Sequence, residues 1–496
     1  MTGAHPATAE APREPKPASR RARRRRGSIG GLAFAIGLAG PLGLVTGPLV
    51  AHALGPQGRG EVAAATVFGT LAWMVLALGL PWAVGHRAAV EPASQPQLLG
   101  SIIRYAAFVI FPLALAGAAL LTRGPLDHFS AAGAAGAFIL FAAAPLNMLT
   151  QCQQAMLMAE SALRPLSVLR ALPVVLSAVA TIVLAIAGAL TVATYLATTI
   201  AAGLVVNAVT WRCLGVRPRG RAPMRPLLWF GVRNVGAQLA AFGNRAGDQA
   251  ILAVFVGTRQ LGLYAVAVTV ANVPLSLAQA VGTRAFGDVA KAPEEERMEV
   301  AAYYLRLSLL IGILAAAVIA VTGPVMLPLL FGQSFQPAVV PLLLLLPGGA
   351  AIGLGMTAAR TLTAIDRPGT ATVAEFIGLA VTAVGLAIAI PILGIKGAAI
   401  VSSVAYWVRV FVQLRILRAS GLGSIRPSLS DARDLGRLGL VTVHRLLKRR
   451  GRPGGGGGRG NGPGKRGRPP GRAPGSPPHP DGRARPLDTM SLDMDG

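Results

Sequence analysis

The sequence predicts an all-α, polytopic membrane protein with about twelve transmembrane helices in two pseudo-symmetric six-helix bundles. Of its 496 residues, 53% are hydrophobic and only 14% are charged, and the mean hydropathy is +0.56, a balance that few soluble globular proteins approach. Apolar stretches of roughly 20 residues, long enough to cross a ~30 Å hydrocarbon core as helices, recur along the chain. A short glycine-containing motif also occurs twice, in the first and in the second half.

The apolar stretches divide the chain into two similar halves with polar ends. The predicted spans lie near residues 28–52, 62–86, 102–122, 131–158, 168–188, 190–211, 229–256, 261–286, 304–322, 336–363, 371–391 and 394–418. We expect five regions: a disordered basic N-terminus at 1–27, an N-lobe of six helices at 28–211, a linker at 212–226, a C-lobe of six helices at 227–418, and a basic, Gly/Pro-rich, largely disordered tail at 419–496.

The two termini carry much of the positive charge. The segment "RARRRRGSIGG" and the tail "GRPGGGGGRGNGPGKRGRPPGRAPG" hold almost no apolar residues that a core would bury, which predicts disorder. Residues 428–450 are typical of a basic amphipathic helix on a membrane surface. Clustered arginine attracts nucleic acid, but beside a membrane domain it favours anchoring to anionic lipids. We therefore expect anionic lipids, and no nucleic acid, as partners of the termini.

The distribution of Lys and Arg predicts the orientation. Fifteen Lys and Arg residues lie on the connections that share a side with the Arg-rich N-terminus and on the adjoining helix ends, against four on the opposite side. Because short cytoplasmic loops are enriched in Lys and Arg, we expect both termini and the linker in the cytoplasm. The predicted location is the cytoplasmic (inner) cell membrane.

The repeated motif indicates a duplicated six-helix unit. "ALGPQGRGEVAAA" and "FVGTRQLGLYAVA" align at an offset of 202, which places Gly55 over Gly257 and Gly60 over Gly262. The same offset places Arg104 over Arg306. Since six is an even number, the two copies enter the membrane from the same side, so we expect a symmetry axis along the membrane normal and a substrate cleft between the bundles. The repeat also argues against signal-peptide cleavage after "AHA" at 51–53.

Polar side chains inside apolar spans are the candidate site residues, because a charge at the bilayer centre costs about 2.5 to 3.5 kcal/mol. The clearest cluster is "FGNRAGDQA" in the seventh span. Arg245 and Asp248, three residues apart, can share a helix face and neutralise each other, so a role lining the cleft and a role as a structural pair both stay open. The substrate-binding candidates are Asn244, Arg245, Asp248, Gln249, Arg360, Glu375, Arg409, Gln151 and Gln154.

The chain lacks the sequence signatures of common enzyme classes. It has no HExxH motif, no Walker A motif and no Cys/His set with metal-ligand spacing. Cys152 and Cys213 lie in separate spans, which indicates neither a disulfide nor a metal site. We expect no enzyme activity, no catalytic residues, no metal site and no cofactor.

Three segments carry a resemblance to a known family. "ALGPQGRGEVAAA", "NRAGDQAILAVFVGTRQLGLYAVA" and "LGIKGAAIVSSVAYW" resemble polysaccharide and O-antigen type flippases, the polysaccharide transporter branch of the MOP (MATE-like) superfamily. The resemblance extends in order over residues 28–418. It implies a V-shaped pair of six-helix lobes that moves a lipid-linked glycan across the cytoplasmic membrane by alternating access, for the biosynthesis of cell-surface polysaccharide.

The resemblance also implies that positive groups in the cleft hold the pyrophosphate of the lipid. The matching position is Arg245, with Arg360 and Arg409 as further candidates and Asp248 as its orienting partner. This agrees with the bidentate binding of pyrophosphate oxygens by guanidinium groups. Two features depart from the family: peptidoglycan-precursor flippases usually have fourteen spans, and the first span here lacks the basic residues that some flippases place there.

Two other functions fit the sequence. In a drug or cation antiporter of the same superfamily, Asp248 or Glu375 would exchange a proton or Na⁺ for a cationic substrate. That function needs an unpaired membrane carboxylate, whereas we expect none in the N-lobe core and expect Arg245 beside Asp248. A non-transporting scaffold would instead use the basic tail to recruit glycan-synthesis proteins.

Overall fold

The computed structural model describes residues 39–426, except Pro125 and His128. The predicted disordered N-terminus, the start of the first span, the predicted amphipathic helix at 428–450 and the other tail residues from 427 onwards lie outside this range. The α-helices are α1 (Ala39–Leu76), α2 (Leu80–Val90), α3 (Gln95–Tyr105), α4 (Phe111–Arg123), α5 (Ala131–Ala142), α6 (Ala144–Ala159), α7 (Leu163–Ile186), α8 (Val192–Leu214), α9 (Met224–Phe255), α10 (Thr258–Ala271), α11 (Leu275–Lys291), α12 (Arg297–Phe331), α13 (Val339–Ala364) and α14 (Pro368–Ala419).

Short segments of other helix types join some of these helices. A 3₁₀ turn (Pro92–Ser94) precedes α3, a π-helical segment (Ala106–Ile110) joins α3 to α4, and a 3₁₀ helix (Gln333–Ala338) precedes α13. Between residues 39 and 426, regular secondary structure is helical throughout. The all-α prediction is therefore confirmed.

Most of the predicted spans are long and apolar enough to cross a membrane. Six helical stretches meet this requirement alone, and two pairs of helices, bent by 51° and 42°, meet it together. α9 and the α10–α11 pair are not among them, and α9 carries charged residues along its length. Within residues 39–426, each of the twelve predicted spans nevertheless coincides with helix over most of its length, an arrangement consistent with twelve helices in two bundles.

The 52-residue helix α14 is two antiparallel helices joined at Gly394. A straight helix would place residues 34 positions apart at about 50 Å, yet the side chains of Glu375 and Arg409 form an ion pair at 3.1 Å. The reversal occurs at Gly394, whose φ of 56° and ψ of −133° depart from helical values. Glycine adopts this left-handed region without the steric cost that a Cβ atom imposes. The predicted eleventh and twelfth spans are therefore the two arms of α14.

Gly55 breaks α1 in a similar way. Its φ of 63° and ψ of −177° are non-helical, and it lies between the predicted first and second spans. A continuous helix of 38 residues would measure about 57 Å, nearly twice the thickness of the hydrocarbon core. One of the glycines in the repeated motif is thus the point where one span ends and the next begins.

The second glycine of each motif copy, Gly60 or Gly262, forms a contact between the halves of the chain. A Cβ atom on Gly60 would lie 1.8 Å from the Thr258 carbonyl oxygen, and one on Gly262 would lie 1.8 Å from the Pro56 carbonyl oxygen. The two contacts are related by the offset of 202, so equivalent residues of the two copies meet. Backbone touches backbone here, and only glycine allows this approach. We call the packing of α1 and α2 against α9 and α10 the seam.

A second pair of glycines, Gly79 and Gly231, is in contact further along the seam. A Cβ atom on Gly79 would lie 2.3 Å from the Gly231 carbonyl oxygen, and one on Gly231 would lie 2.3 Å from the Leu78 carbonyl oxygen. The rings of His86 and Phe230 stack nearby, with centroids 4.9 Å apart. The seam therefore holds the halves together at two backbone contacts, one near each end of the second predicted span.

The repeat extends to the segments that follow each set of helices. Arg104 donates to the Gly220 carbonyl oxygen in the linker after α8 at 2.6 Å. Arg306, its equivalent at an offset of 202, donates to the Ser424 carbonyl oxygen after α14 at 3.2 Å. Ser101 adds two bonds to the backbone of Ala222, at 2.8 and 3.0 Å. Both copies thus bind the segment that leaves their last helix in the same way.

The glycine contact predicts a sharp dependence on side-chain size. Gly60→Ala and Gly262→Ala place a methyl group on a carbonyl oxygen and should each lower the free energy of unfolding by at least about 1–3 kcal/mol. The measurement is thermal unfolding of the purified protein in detergent.

Gly203→Ala provides the matched control. A Cβ atom on Gly203, inside α8, meets nothing within 4 Å, and alanine favours the helix by up to about 1 kcal/mol over glycine. The control variant should be as stable as the wild type or slightly more stable. A Gly60→Ala protein as stable as Gly203→Ala would contradict the backbone contact.

Candidate functional site

Three of the predicted site residues form one network inside the second half. Arg409 Nη1 donates to both carboxylate oxygens of Glu375, at 3.1 and 3.2 Å. Asn244 Nδ2 donates to Glu375 Oε2 and to the Glu375 carbonyl oxygen, both at 2.8 Å. The network joins α9 to both arms of α14, and the side chains of the ion pair are only 9% and 15% exposed. Glu375 is thus a paired, largely enclosed group.

Some N–H donors of Arg409 have no hydrogen-bond partner. Its Nε and Nη2 atoms are buried and have no hydrogen-bond partner, and the same is true of Asn244 Oδ1. The guanidinium group packs against Gly355 of α13, where a Cβ atom would lie 3.0 Å from Nη2, and over the Tyr406 ring, 5.8 Å from its centroid. Arg409 therefore packs inside the second half, against α13 and the other arm of α14.

Asp248 has partners that the sequence interpretation did not assign. Tyr264 donates to Asp248 Oδ2 at 2.5 Å, Ser402 donates to the same oxygen at 3.0 Å, and the Gln249 backbone N–H donates to Oδ1 at 2.7 Å. Among residues 39–426 no ion pair involves Asp248. The predicted Arg245–Asp248 pair is therefore wrong. Helical spacing allows it, but the Asp248 side chain binds Tyr264 of α10 and Ser402 of α14 instead.

Arg245 is exposed, whereas Asp248 is buried. Arg245 follows Gly231 by almost four helical turns, so the two residues point in directions about 40° apart. Gly231 contacts Gly79 of the first half. Arg245 therefore lies on the face of α9 that is turned towards the first half, about 15 Å from the end of a helix about 48 Å long.

A small cavity adjoins Asp248. Asn272, Gly349 and Tyr406 are among the residues that line it. The space holds about one water-sized sphere. It suits a water molecule or a small ion and is far too small for a sugar or a pyrophosphate.

The remaining candidates lie apart from this network. The Arg360 side chain packs on Gly282 of α11, where a Cβ atom would lie 3.1 Å from its Cδ atom. Gln154 is buried in α6 and its Oε1 atom has no partner, while Gln151 is partly buried. Gln153, beside Gln154 in the chain, is fully buried with both amide atoms unpartnered.

The sequence interpretation also missed a carboxylate in the first half. Glu61 is 1% exposed and accepts from the Ser130 backbone N–H at 3.0 Å and the Ser130 hydroxyl at 2.6 Å. Ser130 is the N-cap of α5, where a negative charge is favoured by the helix dipole. The expectation of no unpaired membrane carboxylate in the N-lobe core did not consider Glu61, because this residue lies one position before the hydropathy-defined second span.

The described residues contain neither a disulfide nor a cluster of metal-ligating side chains. Cys152 and Cys213 are free thiols. Within residues 39–426, less Pro125 and His128, no three His, Cys, Asp or Glu residues are grouped so as to hold a metal ion.

The Glu375–Arg409 pair predicts non-additive mutations. Glu375→Gln or Arg409→Gln alone leaves one charge unpaired in the bundle and should cost about 3–5 kcal/mol of unfolding free energy. The double variant should lose much less than the sum of the two. Thermal unfolding in detergent measures this cycle.

An exposed ion pair supplies the control. Arg284→Gln removes the contact of Arg284 with Asp288, in which the arginine side chain is 62% exposed, and should cost less than about 1 kcal/mol. Losses that add up in the Glu375–Arg409 double variant would show that the two residues act independently.

Comparisons with known proteins agree on the fold. The family model described as "Polysaccharide biosynthesis protein" matches residues 49–340, more than half of the chain. No curated protein sequence matches. Similar solved structures include an inward-facing MATE family multidrug resistance transporter of the MOP superfamily, at 15% identity and a TM-score of 0.52, covering 80% of this chain and 97% of that chain.

Two further structures have the same fold. The MATE multidrug transporter DinF-BH is 14% identical with a TM-score of 0.54, over 81% of this chain and 95% of that chain. The lipid II flippase MurJ, in an inward closed conformation, is 12% identical with a TM-score of 0.53, over 85% of this chain and 92% of that chain. The chain is therefore a multi-pass membrane protein of the polysaccharide biosynthesis protein family, with the fold of the MOP superfamily of transporters.

Proposed function

We propose that the protein is a flippase that moves a lipid-linked oligosaccharide or polysaccharide precursor across the cytoplasmic membrane by alternating access. The observation that carries this proposal is the exposed Arg245 of α9, about 15 Å from the end of the helix, on the face turned towards the first half. An arginine at that depth needs water or an anionic partner. In a flippase, a cleft between the halves would provide the first, and a lipid-linked pyrophosphate would provide the second.

The chemistry of Arg245 suits a pyrophosphate head group. A guanidinium group stays charged at all physiological pH values and binds two phosphate oxygens at once. Since Asp248 is occupied by Tyr264 and Ser402, it does not neutralise Arg245. The arginine is free to take its countercharge from the substrate.

The seam supports the motion that alternating access requires. Two glycine pairs bring backbone against backbone in it, and buried apolar side chains of both halves, among them Val62 and Tyr264, form one core cluster. In alternating access the halves would roll or slide against each other at this packed contact, as in other shear and hinge motions.

The sidedness follows from the charges. We place both termini and the linker in the cytoplasm, where the Arg-rich ends bind anionic lipids and where glycan-synthesis proteins would deliver substrate. The regions at 1–27, 28–211, 212–226, 227–418 and 419–496 are then the N-terminus, N-lobe, linker, C-lobe and tail. No chemical step is assigned to the protein, because flipping leaves the substrate's covalent structure unchanged.

Depletion of the protein should cause a completed lipid-linked glycan intermediate to accumulate, as measured by mass spectrometry of the lipid extract. Wild-type protein should reverse the accumulation, and Arg245→Ala should reverse less than about a tenth of it, because one lost charge-assisted contact is worth about 1.5–3 kcal/mol.

Arg225→Ala is the matched control, because Arg225 is also an exposed arginine on α9 but lies at its first turn. It should rescue as the wild type does. Equal rescue by Arg245→Ala would remove Arg245 from the site, and an unchanged glycan pool on depletion would contradict flipping. If cleft variants are silent while deletion of the tail is not, the scaffold function is correct.

One observation favours a second function, small-molecule antiport. Asp248 is 2% exposed, lacks an ion pair within the described residues and adjoins a cavity for one small particle. A proton- or cation-coupled antiporter needs such a carboxylate. Two of the solved structures with this fold are named as multidrug transporters.

The Asp248→Asn variant separates the two functions. If the protein is a flippase whose Asp248 only holds α9, α10 and α14 together, the variant should lose stability but retain glycan-lipid turnover within about twofold when expressed at equal level. If the protein is an antiporter, the variant should lose cation-coupled efflux of a fluorescent cationic dye from vesicles, and depletion should leave glycan lipids unchanged.

A further inference from the structure

A second arginine lies at the seam itself. Arg59 is the residue before Gly60, the glycine that touches the Thr258 carbonyl oxygen of the second half. Its side chain reaches across to Thr269 of α10. It is partly buried and close enough to Tyr195 of α8 for an electrostatic interaction. A charged group is therefore held where the two halves meet.

The hydrogen bonds of Arg59 are poor. Its Nη2 atom donates to Thr269 Oγ1 at 3.5 Å, at the outer limit for such a bond. The Thr269 hydroxyl itself donates to the Ala265 carbonyl oxygen at 2.7 Å. The Nε atom of Arg59 is buried and has no partner. A guanidinium group has five N–H donors, and a buried donor without a partner costs about 1–3 kcal/mol.

No carboxylate in the described structure compensates this charge. Glu61, two residues away, uses both oxygens on Ser130 at the start of α5. The ion pairs found within residues 39–426 do not include Arg59. An enclosed arginine with an unused N–H and no countercharge is the arrangement that an anionic ligand completes.

We infer that Arg59 binds a phosphate oxygen of the transported substrate at the seam, as a second head-group site beyond Arg245. The inference rests on the proposed function. The ligand is a phosphate ester, and we take its source to be the substrate's pyrophosphate rather than the head group of a bulk phospholipid, because the partly buried Arg59 side chain reaches across the seam from α1 to α10.

Such a site couples substrate binding to closure of the seam. Without a ligand, the state in which the halves are in contact is destabilised by the unsatisfied guanidinium group of Arg59. A bound phosphate removes this destabilisation only while the halves are together around Arg59, so the ligand shifts the population towards this closed state. Arg59 is thus a residue through which the substrate stabilises the closed seam.

The test measures ligand-induced thermal stabilisation of the purified full-length protein in detergent. The probes are farnesyl pyrophosphate, farnesol, inorganic pyrophosphate and phosphatidylglycerol. Farnesyl pyrophosphate should raise the Tm of the wild type, farnesol should not, and Arg59→Gln should weaken the apparent affinity at least tenfold, which equals about 1.4 kcal/mol. Arg259→Gln, in the second copy of the motif and exposed, should behave as the wild type.

The other results overturn the inference in distinguishable ways. If Arg59→Gln binds farnesyl pyrophosphate as tightly as the wild type, Arg59 is not a ligand and the proposed function stands. If phosphatidylglycerol stabilises the wild type equally and through Arg59, the site belongs to bulk lipid. If no probe with a phosphate stabilises the wild type, both this inference and the proposed head-group site fail.

A second variant separates a binding role from a structural one. Arg59→Met removes the unsatisfied donors while keeping much of the apolar stem, so without ligand its Tm should equal or exceed that of the wild type. Its stabilisation by farnesyl pyrophosphate should be lost. A ligand-free Tm several degrees below the wild type would mean that Arg59 holds the halves together by itself, and would contradict the inference.

Discussion

The contact between Gly60 and Gly262 is the constraint on which the seam depends. Each glycine occupies the equivalent position in one copy of the duplicated unit, and each brings its own backbone against a carbonyl oxygen of the other copy. A side chain at either position would hold α1 and α10 apart. Their approach places Arg59 within reach of Thr269 in the second half. The repeated motif therefore encodes the meeting of the two halves, and Gly55 supplies the turn before it.

The two copies share this backbone contact but differ in their polar interiors. In the second half, Asn244, Glu375 and Arg409 form a charged network. The position 202 residues before Arg409 is Asn207, which donates to Thr150 at 2.9 Å, so a neutral bond joins α8 to α6 where a charge pair joins the arms of α14. Duplication thus preserved the contact between the halves while their interiors diverged.

The sequence was sufficient for the helical segments and the repeat, because hydropathy and fixed offsets are local or additive signals. It identified Asn244, Glu375 and Arg409 as unusual but not as partners, since their contact depends on the reversal of α14 at Gly394. The pairing of Arg245 with Asp248 failed because helical spacing shows which residues share a face and not which neighbour binds more strongly. Tyr264 and Ser402 bind Asp248 from other helices, and no periodicity predicts that.

The most direct measurement of the central claim is the transbilayer movement of a fluorescent lipid-linked oligosaccharide in liposomes that contain the purified protein. Loss of fluorescence to a membrane-impermeant quencher reports how fast the glycan on the inner leaflet reaches the outer leaflet. The account predicts that wild-type protein makes the whole lipid pool accessible much faster than in protein-free liposomes, while a fluorescent phospholipid stays in its leaflet. Equal rates with and without protein, or equal movement of the phospholipid, would contradict a flippase specific for lipid-linked glycans.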